Sequence, residues 1–452
     1  MSLWTSVEIE KATGGSASAA FTATGVTFDS REVEPGDLFI ALSGETTDGH
    51  RFVAGAFAAG AAGAIVSQPV EGPHVLVADT MAALNSLATA ARARTSAKIV
   101  GVTGSVGKTG TKEALHAALD RTAPAEAHRS VKSYNNHTGV PLSLARMPAD
   151  ARFGVFEMGM NHAGELAALT RLVRPHAAIV TAIAPAHRAY FADDAAIADA
   201  KGEIFEGLEA GGTAIIPYDS PHRDRLRSAA EPFVGRILTF GLGEGADVRA
   251  REVMPGAKGT LISAILPDAE LTFTLEPPGA HWVSNALAVL AAVEAVGGDL
   301  AAAGLALAEL PGLAGRGERI RIPVAGGEAL LIDESYNANP ASMAATLASL
   351  GAEPGRHIAV LGPMRELGSE SEAFHAALAE PIARAEVAYA LFVGEETAEL
   401  AGALCATTRV DHVPDVASAT ILIKDRIAPG DAILVKGSNA VGLSRLVAAL
   451  KG

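Results

Sequence analysis

Short apolar runs alternate with amphipathic or alanine-rich stretches along the whole chain, and their spacing divides it into parts. The first part, residues 1–97, contains the strand-like runs VTFDSREV, DLFIAL and AIVSQPV. An alanine-rich stretch from Phe52 to Gly63 lies between the last two of these runs and is predicted to be helical. The pattern predicts a small α/β unit at the N-terminal end.

The second part, residues 98–313, has apolar runs that are long enough to be buried on both faces of a sheet. KIVGVTG, RFGVFEMG and AAIVTAIAP each end in a polar or glycine-rich turn, which is typical of parallel strands. Apolar and polar residues alternate from Leu261 to Leu275, and this alternation predicts an antiparallel hairpin appended to the sheet. A helix is predicted from about Trp282 to Ala295, and the glycine-rich segment PGLAGRGER then predicts an interdomain linker with a boundary near Leu313.

The third part, residues 314–452, repeats the alternation of apolar runs and helical stretches. Its strand candidates are ALLIDES, HIAVLGP, YALFVG and DAILVKGS. Such an order predicts a doubly wound, Rossmann-like sheet. The chain is therefore expected to have three α/β domains: a small N-terminal domain, a central phosphate-loop domain with appended antiparallel strands, and a C-terminal doubly wound domain.

The composition and charge of the chain exclude several classes of partner and of location. A formal net charge of -15, without a long basic run, argues against binding to nucleic acid or to an anionic membrane. Cys405 is the single cysteine of the sequence, so an internal disulfide is excluded. We expect Cys405 to be a small buried residue. Glu8 and Glu10 stand where a secretory signal would need apolar residues, and no strongly apolar run reaches the roughly 20 residues of a membrane helix. We expect a cytoplasmic protein.

The segment IVGVTGSVGKTGTKEAL places an apolar strand, a glycine-rich turn and a helix in the order that a phosphate-binding loop requires. Gly104 and Gly107 let backbone N–H groups approach phosphate oxygens, and the following helix adds its dipole. Lys108 can neutralise the β- and γ-phosphates, and the Thr109 hydroxyl can ligate Mg²⁺. Val102 stands where the generic pattern has its first glycine, so the match is to the shorter form TGxxGKT. A merely structural glycine turn explains less of this pattern, and we expect ATP binding.

A phosphate loop does not identify a reaction, because kinases, switches, motors and ligases share it. Glu157 ends a buried strand at the edge where open α/β sheets bind ligands, so its carboxylate can hold a second Mg²⁺. His187 follows the next strand, and Lys201 lies within a predicted helix. Alone, such a histidine or lysine is more often structural or solvated. Because Mg²⁺ prefers oxygen, His187 would need carboxylate or carbamate neighbours.

A series of motifs follows in order along the chain: TGSVGKT, SYNNHTGVP, EMGMNHAGE, AHRAYF, AKGEIF, PGAHWVSNAL, GRGER, IDESYNANP, MRELGSESEAFH and LVKGS. This series resembles that of the Mur ligases, the cytoplasmic amide-forming enzymes of peptidoglycan precursor synthesis, and the resemblance covers nearly the whole chain. Within the family, SYNNHTGVP, EMGMNHAGE and DESYNANP resemble the type that adds D-Ala-D-Ala to UDP-N-acetylmuramoyl-tripeptide. The type that adds the third amino acid carries an Asp-Asn-Pro-Arg signature, which is absent from this sequence.

The resemblance implies a reaction and its cofactors. ATP is expected to phosphorylate the tripeptide carboxylate, and the amine of D-Ala-D-Ala then attacks the acyl phosphate to form the amide. Two Mg²⁺ ions are expected, with Thr109, Glu157, His187 and Lys201 as ligands. Lys201 matches the carbamylated lysine of the family, and a carbamate would present two anionic oxygens to the metal. Lys108 joins Glu157, His187 and Lys201 as an expected catalytic residue.

The resemblance also implies contacts with the two larger substrates. The residues expected to bind ATP are Thr103, Gly104, Ser105, Val106, Gly107, Lys108, Thr109, Gly110, His281, Asn285, Arg316, Asp333, Tyr336, Asn337 and Asn339. The residues expected to contact the UDP-linked peptide or to line its cleft are Ser30, Arg31, Asp48, Gly49, His50, Asn135, Asn136, Lys436 and Ser438. No partner beyond these small molecules is expected, and the chain is expected to be a monomer.

Two positions depart from the family pattern. The family usually follows the histidine with Leu-Glu, whereas this chain has Arg188 and Ala189, and Pro363 replaces the acid that usually precedes the ELG element. Two alternatives to the ligase stay open at this point. One is a sibling amide ligase, of the folylpolyglutamate or third-residue-adding type, and the other is a binding module that hydrolyses a nucleotide without making a product.

Overall fold

The computed structural model describes residues 2–44, 47–185, 188–256, 259–310, 312–404 and 408–452. Two residues named above, His187 and Cys405, lie outside these ranges. The described residues form sheets of two, five, nine and six strands. This arrangement confirms the predicted α/β class with three successive sheet regions, whereas the exact domain boundaries at 97/98 and 313/314 stay a prediction.

The N-terminal region has a five-stranded sheet in which β4 to β7 are parallel and β2 is antiparallel to β7, while β1 and β3 pair separately. The predicted helix from Phe52 to Gly63 is too long, because Gly60 adopts φ +104° and the helix ends at Ala58. A single 3-10 turn, Gly49–Phe52, precedes it. The elements are β1 Trp4–Thr5, α1 Ser6–Thr13, β2 Ser16–Ala17, β3 Thr22–Ala23, β4 Gly25–Thr27, β5 Asp37–Ile40, α2 Val53–Ala58, β6 Gly63–Val66, β7 His74–Leu76 and α3 Thr80–Arg94.

The central region has a nine-stranded sheet of order β16-β15-β14-β13-β12-β11-β8-β10-β9. Strands from β9 to β14 in this order are parallel, and β14, β15 and β16 are antiparallel, which confirms the appended hairpin. The elements are β8 Lys98–Thr103, α4 Lys108–Thr122, β9 Ala127–Arg129, α5 Gly139–Ala145, β10 Phe153–Glu157, α6 Glu165–Val173, β11 Ala177–Val180, α7 Asp194–Gly202, β12 Thr213–Pro217, α8 Arg223–Ala230, β13 Arg236–Gly241, β14 Val248–Gly256, β15 Gly259–Ile265, β16 Glu270–Leu275, α9 Ala280–Ala295 and α10 Leu300–Ala308.

The C-terminal region has a six-stranded sheet of order β17-β18-β22-β19-β20-β21, parallel except for the edge strand β17. All four predicted strands of this region are present as β18, β19, β20 and β22. The elements are β17 Glu318–Val324, β18 Gly327–Glu334, α11 Pro340–Gly351, β19 His357–Leu361, α12 Ser371–Ala376, α13 Ala379–Arg384, β20 Val387–Val393, α14 Ala398–Leu404, β21 Arg409–Val413, α15 Val416–Lys424, β22 Ala432–Lys436 and α16 Ser444–Lys451.

Apolar side chains cover both faces of the central sheet. Leu115 and Leu119 of α4 pack with Leu287 of α9 on one face, and Leu166 of α6 packs with Ile197 of α7 on the other. Because the strands are buried on both sides, their carboxyl ends form one polar edge between the covering helices. Among the described residues, no helix combines the length and apolar character needed to cross a membrane.

Candidate active site

The phosphate loop connects β8 to α4 at the carboxyl edge of the central sheet. Gly104 has φ +148° and Gly107 has φ +84°, backbone conformations that side-chain-bearing residues rarely adopt. Lys108 Nζ donates a hydrogen bond to the carbonyl oxygen of Gly104 at 2.6 Å, so the lysine folds back over its own loop. Burial lowers the pKa of Lys108, and the nearby Glu157 carboxylate opposes that shift.

The end of β11 braces this loop from the neighbouring strand. Thr181 Oγ1 lies 2.5 Å from the carbonyl oxygen of Val106 and 3.1 Å from that of Thr103, and it donates to both as a shared hydrogen bond. Ser105 N donates to the Ala182 carbonyl at 2.7 Å. A Cβ on Gly104 would lie 1.9 Å from Thr181 Oγ1, so the Thr181 hydroxyl can occupy this position only because residue 104 has no side chain. No local pattern indicated this role of Thr181.

Further residues predicted to bind ATP lie in α4 and in the first turns of α9, next to the phosphate loop. A Cβ on Gly107 would lie 2.9 Å from Asn285 Oδ1, which places this asparagine of α9 directly against the loop. Gly110 instead faces the ring of Trp282, because a Cβ there would lie 2.9 Å from Trp282 Cη2, so its small size serves helix packing. His281 lies in the first turn of α9, and burial lowers its pKa.

Glu157 ends β10 and is 1% exposed. Its Oε2 accepts a hydrogen bond from Thr109 Oγ1 at 2.8 Å, and its Oε1 accepts one from Asn135 Nδ2 at 2.8 Å. A hydroxyl and a carboxylate side by side next to a phosphate loop are the hard oxygen donors that suit Mg²⁺. The residues present therefore fit this ion. Asn136 instead accepts from the backbone N–H groups of Thr138 and Gly139 and caps the following turn.

Lys201 lies in α7 and is 1% exposed. Burial, together with the positive charge of Lys108, lowers its pKa well below the ordinary lysine value. A lowered pKa raises the fraction of the neutral amine, which is the form of lysine that can react with carbon dioxide. His187, the fourth expected ligand, lies outside the described residues.

The carboxyl edge of the C-terminal sheet carries the next group of predicted residues. Asp333 is buried, and its carboxylate accepts from Gly315 N at 3.0 Å, from Ser335 N at 3.1 Å and from Ser335 Oγ at 2.6 Å. It thereby fixes the linker to the end of β18. The guanidinium of Arg316 lies 4.2 Å from the ring centroid of Tyr336, and its Nη2 is 3.3 Å from Ser133 Oγ in the central region.

The remaining residues of this edge have mainly internal partners. Lys436 is 1% exposed, and its Nζ donates to Glu334 Oε2 at 3.2 Å and to the Asn337 carbonyl at 3.0 Å. Ser438 Oγ accepts from Arg365 N at 2.9 Å, and Ser438 N donates to the carbonyl of Pro363. The other predicted residue, Asn339, caps α11 through its bond from Ser342 N. Their roles towards substrate stay predictions.

The predicted uridine-nucleotide residues lie in loops of the N-terminal region. Arg31 pairs with Asp29 through Nη2 at 2.6 Å, and this contact lowers the pKa of the Asp29 carboxyl to about 2. Asp48 Oδ1 accepts from His50 N at 3.0 Å and contacts His50 Nδ1 at 2.6 Å. Gly49 N donates to the carbonyl of Leu42, which precedes this turn in the chain, at 2.8 Å.

The loop that carries Ser30 and Arg31 reaches the central region. Glu32 forms an ion pair with Lys132, and the rings of Phe28 and Tyr134 have centroids 5.8 Å apart. The loop of Ser30 therefore lies beside the segment that presents Asn135 to Glu157.

Arg188, which departs from the family pattern, joins the central and C-terminal regions. Its Nε and Nη2 lie 2.7 Å and 2.6 Å from Glu370 Oε2, and its side chain is 14% exposed. Ala189 N donates to the Glu366 carbonyl at 3.1 Å beside this pair. A leucine at position 188 would leave the backbone contact of Ala189 in place but could not form the ion pair.

Changing Arg188 to leucine is expected to loosen the segment around Glu370. A partly exposed ion pair contributes about 1 kcal/mol at most, so amide hydrogen exchange in residues 366–376 should rise by up to about fivefold. Hydrogen-exchange mass spectrometry measures this change. Arg384→Leu is the matched control, because its ion pair with Glu380 lies within α13. Equal exchange of segment 366–376 in the wild type and in Arg188→Leu would contradict the expectation.

Three family models match successive parts of the chain. The Mur ligase family catalytic domain matches residues 22–99, the Mur ligase middle domain matches 102–293, and the Mur ligase glutamate ligase domain matches 315–439. The chain is 35% identical over 438 residues to "UDP-N-acetylmuramoyl-tripeptide--D-alanyl-D-alanine ligase" of Escherichia coli (strain K12), covering 96% of this chain and 95% of that one.

Solved structures give the same relationship. A crystal structure of MurF from Acinetobacter baumannii superposes with a TM-score of 0.85 at 32% identity, covering 99% of this chain and 98% of that one. MurF ligase from Thermotoga maritima, in complex with ADP, superposes with a TM-score of 0.78 at 26% identity, covering 94% of this chain and 97% of that one. Sequence and fold thus agree with the resemblance that the motifs indicate.

Proposed function

We infer, since the chain belongs to the Mur ligase family, that it is an ATP-dependent ligase that joins D-Ala-D-Ala to UDP-N-acetylmuramoyl-tripeptide. The product is the UDP-linked pentapeptide, a precursor of peptidoglycan. The observation that carries this inference is the junction of the phosphate loop with Glu157, where Thr109 Oγ1 and Glu157 Oε2 are 2.8 Å apart. A phosphate-binding loop and a buried carboxylate meet there at one sheet edge.

The chemistry needs an activated acid, because a free carboxylate is a poor electrophile. The tripeptide carboxylate takes the γ-phosphoryl group, ADP leaves, the amine of D-Ala-D-Ala attacks the acyl carbon, and inorganic phosphate leaves with formation of the amide. Lys108 and the backbone N–H groups of the loop would bind and orient the phosphates. Asn135, through its bond to Glu157, would keep that carboxylate in place.

Magnesium fits the oxygen donors at this edge. When bound, Mg²⁺ would neutralise charge on the phosphate oxygens. Thr109 and Glu157 would hold one ion, and Glu157, Lys201 and His187 are proposed for a second. The depressed pKa of Lys201 supports its conversion to a carbamate, because the neutral amine is the form that carbon dioxide modifies.

Changing Lys201 to alanine is expected to remove most ligase activity, because the metal site would lose an anionic ligand. Added acetate or formate should restore part of the activity, since a short carboxylate can occupy the space that the carbamate leaves. Steady-state rates with and without these acids measure the effect. Formate should not raise the rate of the wild type, which is the control. Full activity of the untreated variant would contradict the metal role.

The substrate ends are proposed to lie on either side of this junction. Ser30, Arg31 and the turn of residues 48–50 would bind the uridine nucleotide, which the contact between Glu32 and Lys132 supports by joining the first of these loops to the central region. Lys436 and Ser438 are proposed to line the other side. We also propose that the protein acts as a monomer in the cytoplasm.

An assay with UDP-N-acetylmuramoyl-tripeptide, D-Ala-D-Ala, ATP and Mg²⁺ tests the function. Phosphate release and pentapeptide are followed together, and we expect them in equal amounts. Phosphate release that is indifferent to both peptide substrates would instead indicate a nucleotide-hydrolysing module. Parallel reactions with L-glutamate or a diamino acid as the amine test the sibling ligases, which predict a product there and none with D-Ala-D-Ala.

A further inference from the structure

The loop of residues 130–135 is attached to β10 and the segment after it at both ends. Ser130 N donates to the Val155 carbonyl at 2.9 Å, and Ser130 Oγ accepts from Glu157 N at 3.0 Å. At the other end, Gly159 N donates to the Asn135 carbonyl at 2.7 Å. The loop therefore has little freedom to move relative to the Glu157 carboxylate.

Lys112 of α4 fixes the first half of this loop through contacts with its backbone. It lies one turn after Lys108 in α4 and is fully buried. Its Nζ donates to the carbonyls of Ser130 and Lys132 and pairs with Glu113 Oε1 at 2.8 Å. A buried ammonium is tolerated only when it has such partners, and Lys132, which supplies one of the carbonyls, has φ +48°. The position of Ser133 is thus set by a buried charge.

Ser133 presents its hydroxyl between two groups from different parts of the chain. Its Oγ lies 3.4 Å from Thr109 Oγ1 and 3.3 Å from Nη2 of Arg316. Because Arg316 can only donate and Thr109 already donates to Glu157, Ser133 accepts from Arg316 and donates to Thr109. One donor chain therefore runs from Arg316 through Ser133 and Thr109 to Glu157.

We propose that Ser133 is a positioning residue, which couples the seating of Arg316 to the orientation of the Thr109 hydroxyl; this rests on the proposed ligase function. In this series of hydrogen bonds, the hydroxyls of Ser133 and Thr109 each accept one hydrogen bond and donate one. Each hydroxyl is therefore held in one orientation. The remaining lone pair of Thr109 Oγ1 is then free for a metal ion. Without the Ser133 hydroxyl, Arg316 and Thr109 lose their link, and the Thr109 hydroxyl is held from one side only.

Changing Ser133 to alanine tests this proposal in the full chain. Titration calorimetry with a non-hydrolysable ATP analogue at several Mg²⁺ concentrations should show that half-saturation needs roughly 5- to 10-fold more Mg²⁺, the loss expected for one hydrogen bond. In the ligase assay kcat should fall by a similar factor, while KM for the tripeptide stays unchanged. Ser133→Thr keeps the hydroxyl and should restore both values to within about twofold.

A double-variant cycle separates coupling from a general structural effect. If Ser133 acts through Arg316, the double variant Ser133→Ala/Arg316→Ala should lose no more kcat and Mg²⁺ affinity than Arg316→Ala alone. If the two residues act independently, the fold-losses of the single variants should multiply in the double variant. Ser263→Ala removes a hydroxyl that pairs with Thr272 in the hairpin and is the matched control. Thermal unfolding of each variant reports on folding.

Several results would overturn the proposal. They are an unchanged Mg²⁺ requirement in Ser133→Ala, multiplied losses in the double variant, or no recovery in Ser133→Thr. Failure of the wild type to form an amide would contradict the proposed function instead. The two failures are therefore distinguishable, because the first is read from nucleotide binding and the second from product formation by the unaltered chain.

Discussion

Replacing Lys108 with methionine is expected to lower the rate of pentapeptide formation roughly 10²- to 10³-fold, the loss found when one preorganised charge-stabilising donor is removed. The methionine side chain keeps most of the length and apolar surface of lysine but carries no charge. Lys108 begins α4 and already bonds the Gly104 carbonyl within the loop, so the fold has little need of its ammonium elsewhere. The loss should therefore appear in kcat and in ATP binding, with little change in stability.

The matched control is Lys98→Met, at the opposite end of β8. Lys98 is exposed and begins the strand that Lys108 follows, so the same chemical change there should leave the rate within about twofold. Steady-state rates and the thermal midpoint are measured for both variants. A normal rate of pentapeptide formation in Lys108→Met would contradict the assignment of the phosphate loop. It would also contradict the proposed source of the activating phosphoryl group.

Local patterns predicted the parts of the site whose geometry is local. The phosphate loop is a strand, a turn and a helix in succession, so Gly104, Gly107 and Lys108 could be assigned from neighbouring residues alone. Glu157 could be predicted because parallel strands β8 and β10 end at one sheet edge, and their register brings Glu157 opposite Val102. Both predictions use only periodicity and the direction of strands.

Residues whose partners are distant in the sequence could not be found in this way. Thr181 bonds the phosphate loop from 75 and 78 residues away, and Arg316 reaches Ser133 across 183 residues. Lys112 has the sequence setting of a solvated helical lysine, yet it is fully buried. Its burial follows from the path of the 130–135 loop over α4, which depends on tertiary packing rather than on local propensity.

Replacing Gly104 with alanine is expected to destabilise the protein by about 3 kcal/mol and to weaken ATP binding by at least ~100-fold. Two effects combine. The backbone at φ +148° is strained for any residue with a side chain, and the new Cβ would lie 1.9 Å from Thr181 Oγ1 and 3.1 Å from Ala182 N. One of these atoms must move, and both belong to the segment that braces the loop. The loop amides would then no longer face the phosphates together.

Two companion variants divide these contributions. Gly211 also has a positive φ, +78°, but nothing lies within 4 Å of its Cβ direction, so Gly211→Ala should cost only about 1 kcal/mol from backbone strain. Thr181→Ala removes the hydroxyl in the way and the brace with it, so adding it to Gly104→Ala should recover part of the stability without restoring ATP binding. Denaturant unfolding and titration calorimetry measure both quantities. If Gly104→Ala were no more destabilising than Gly211→Ala, the close packing of Thr181 against the loop would be wrong, because that contact should add to the backbone strain at Gly104.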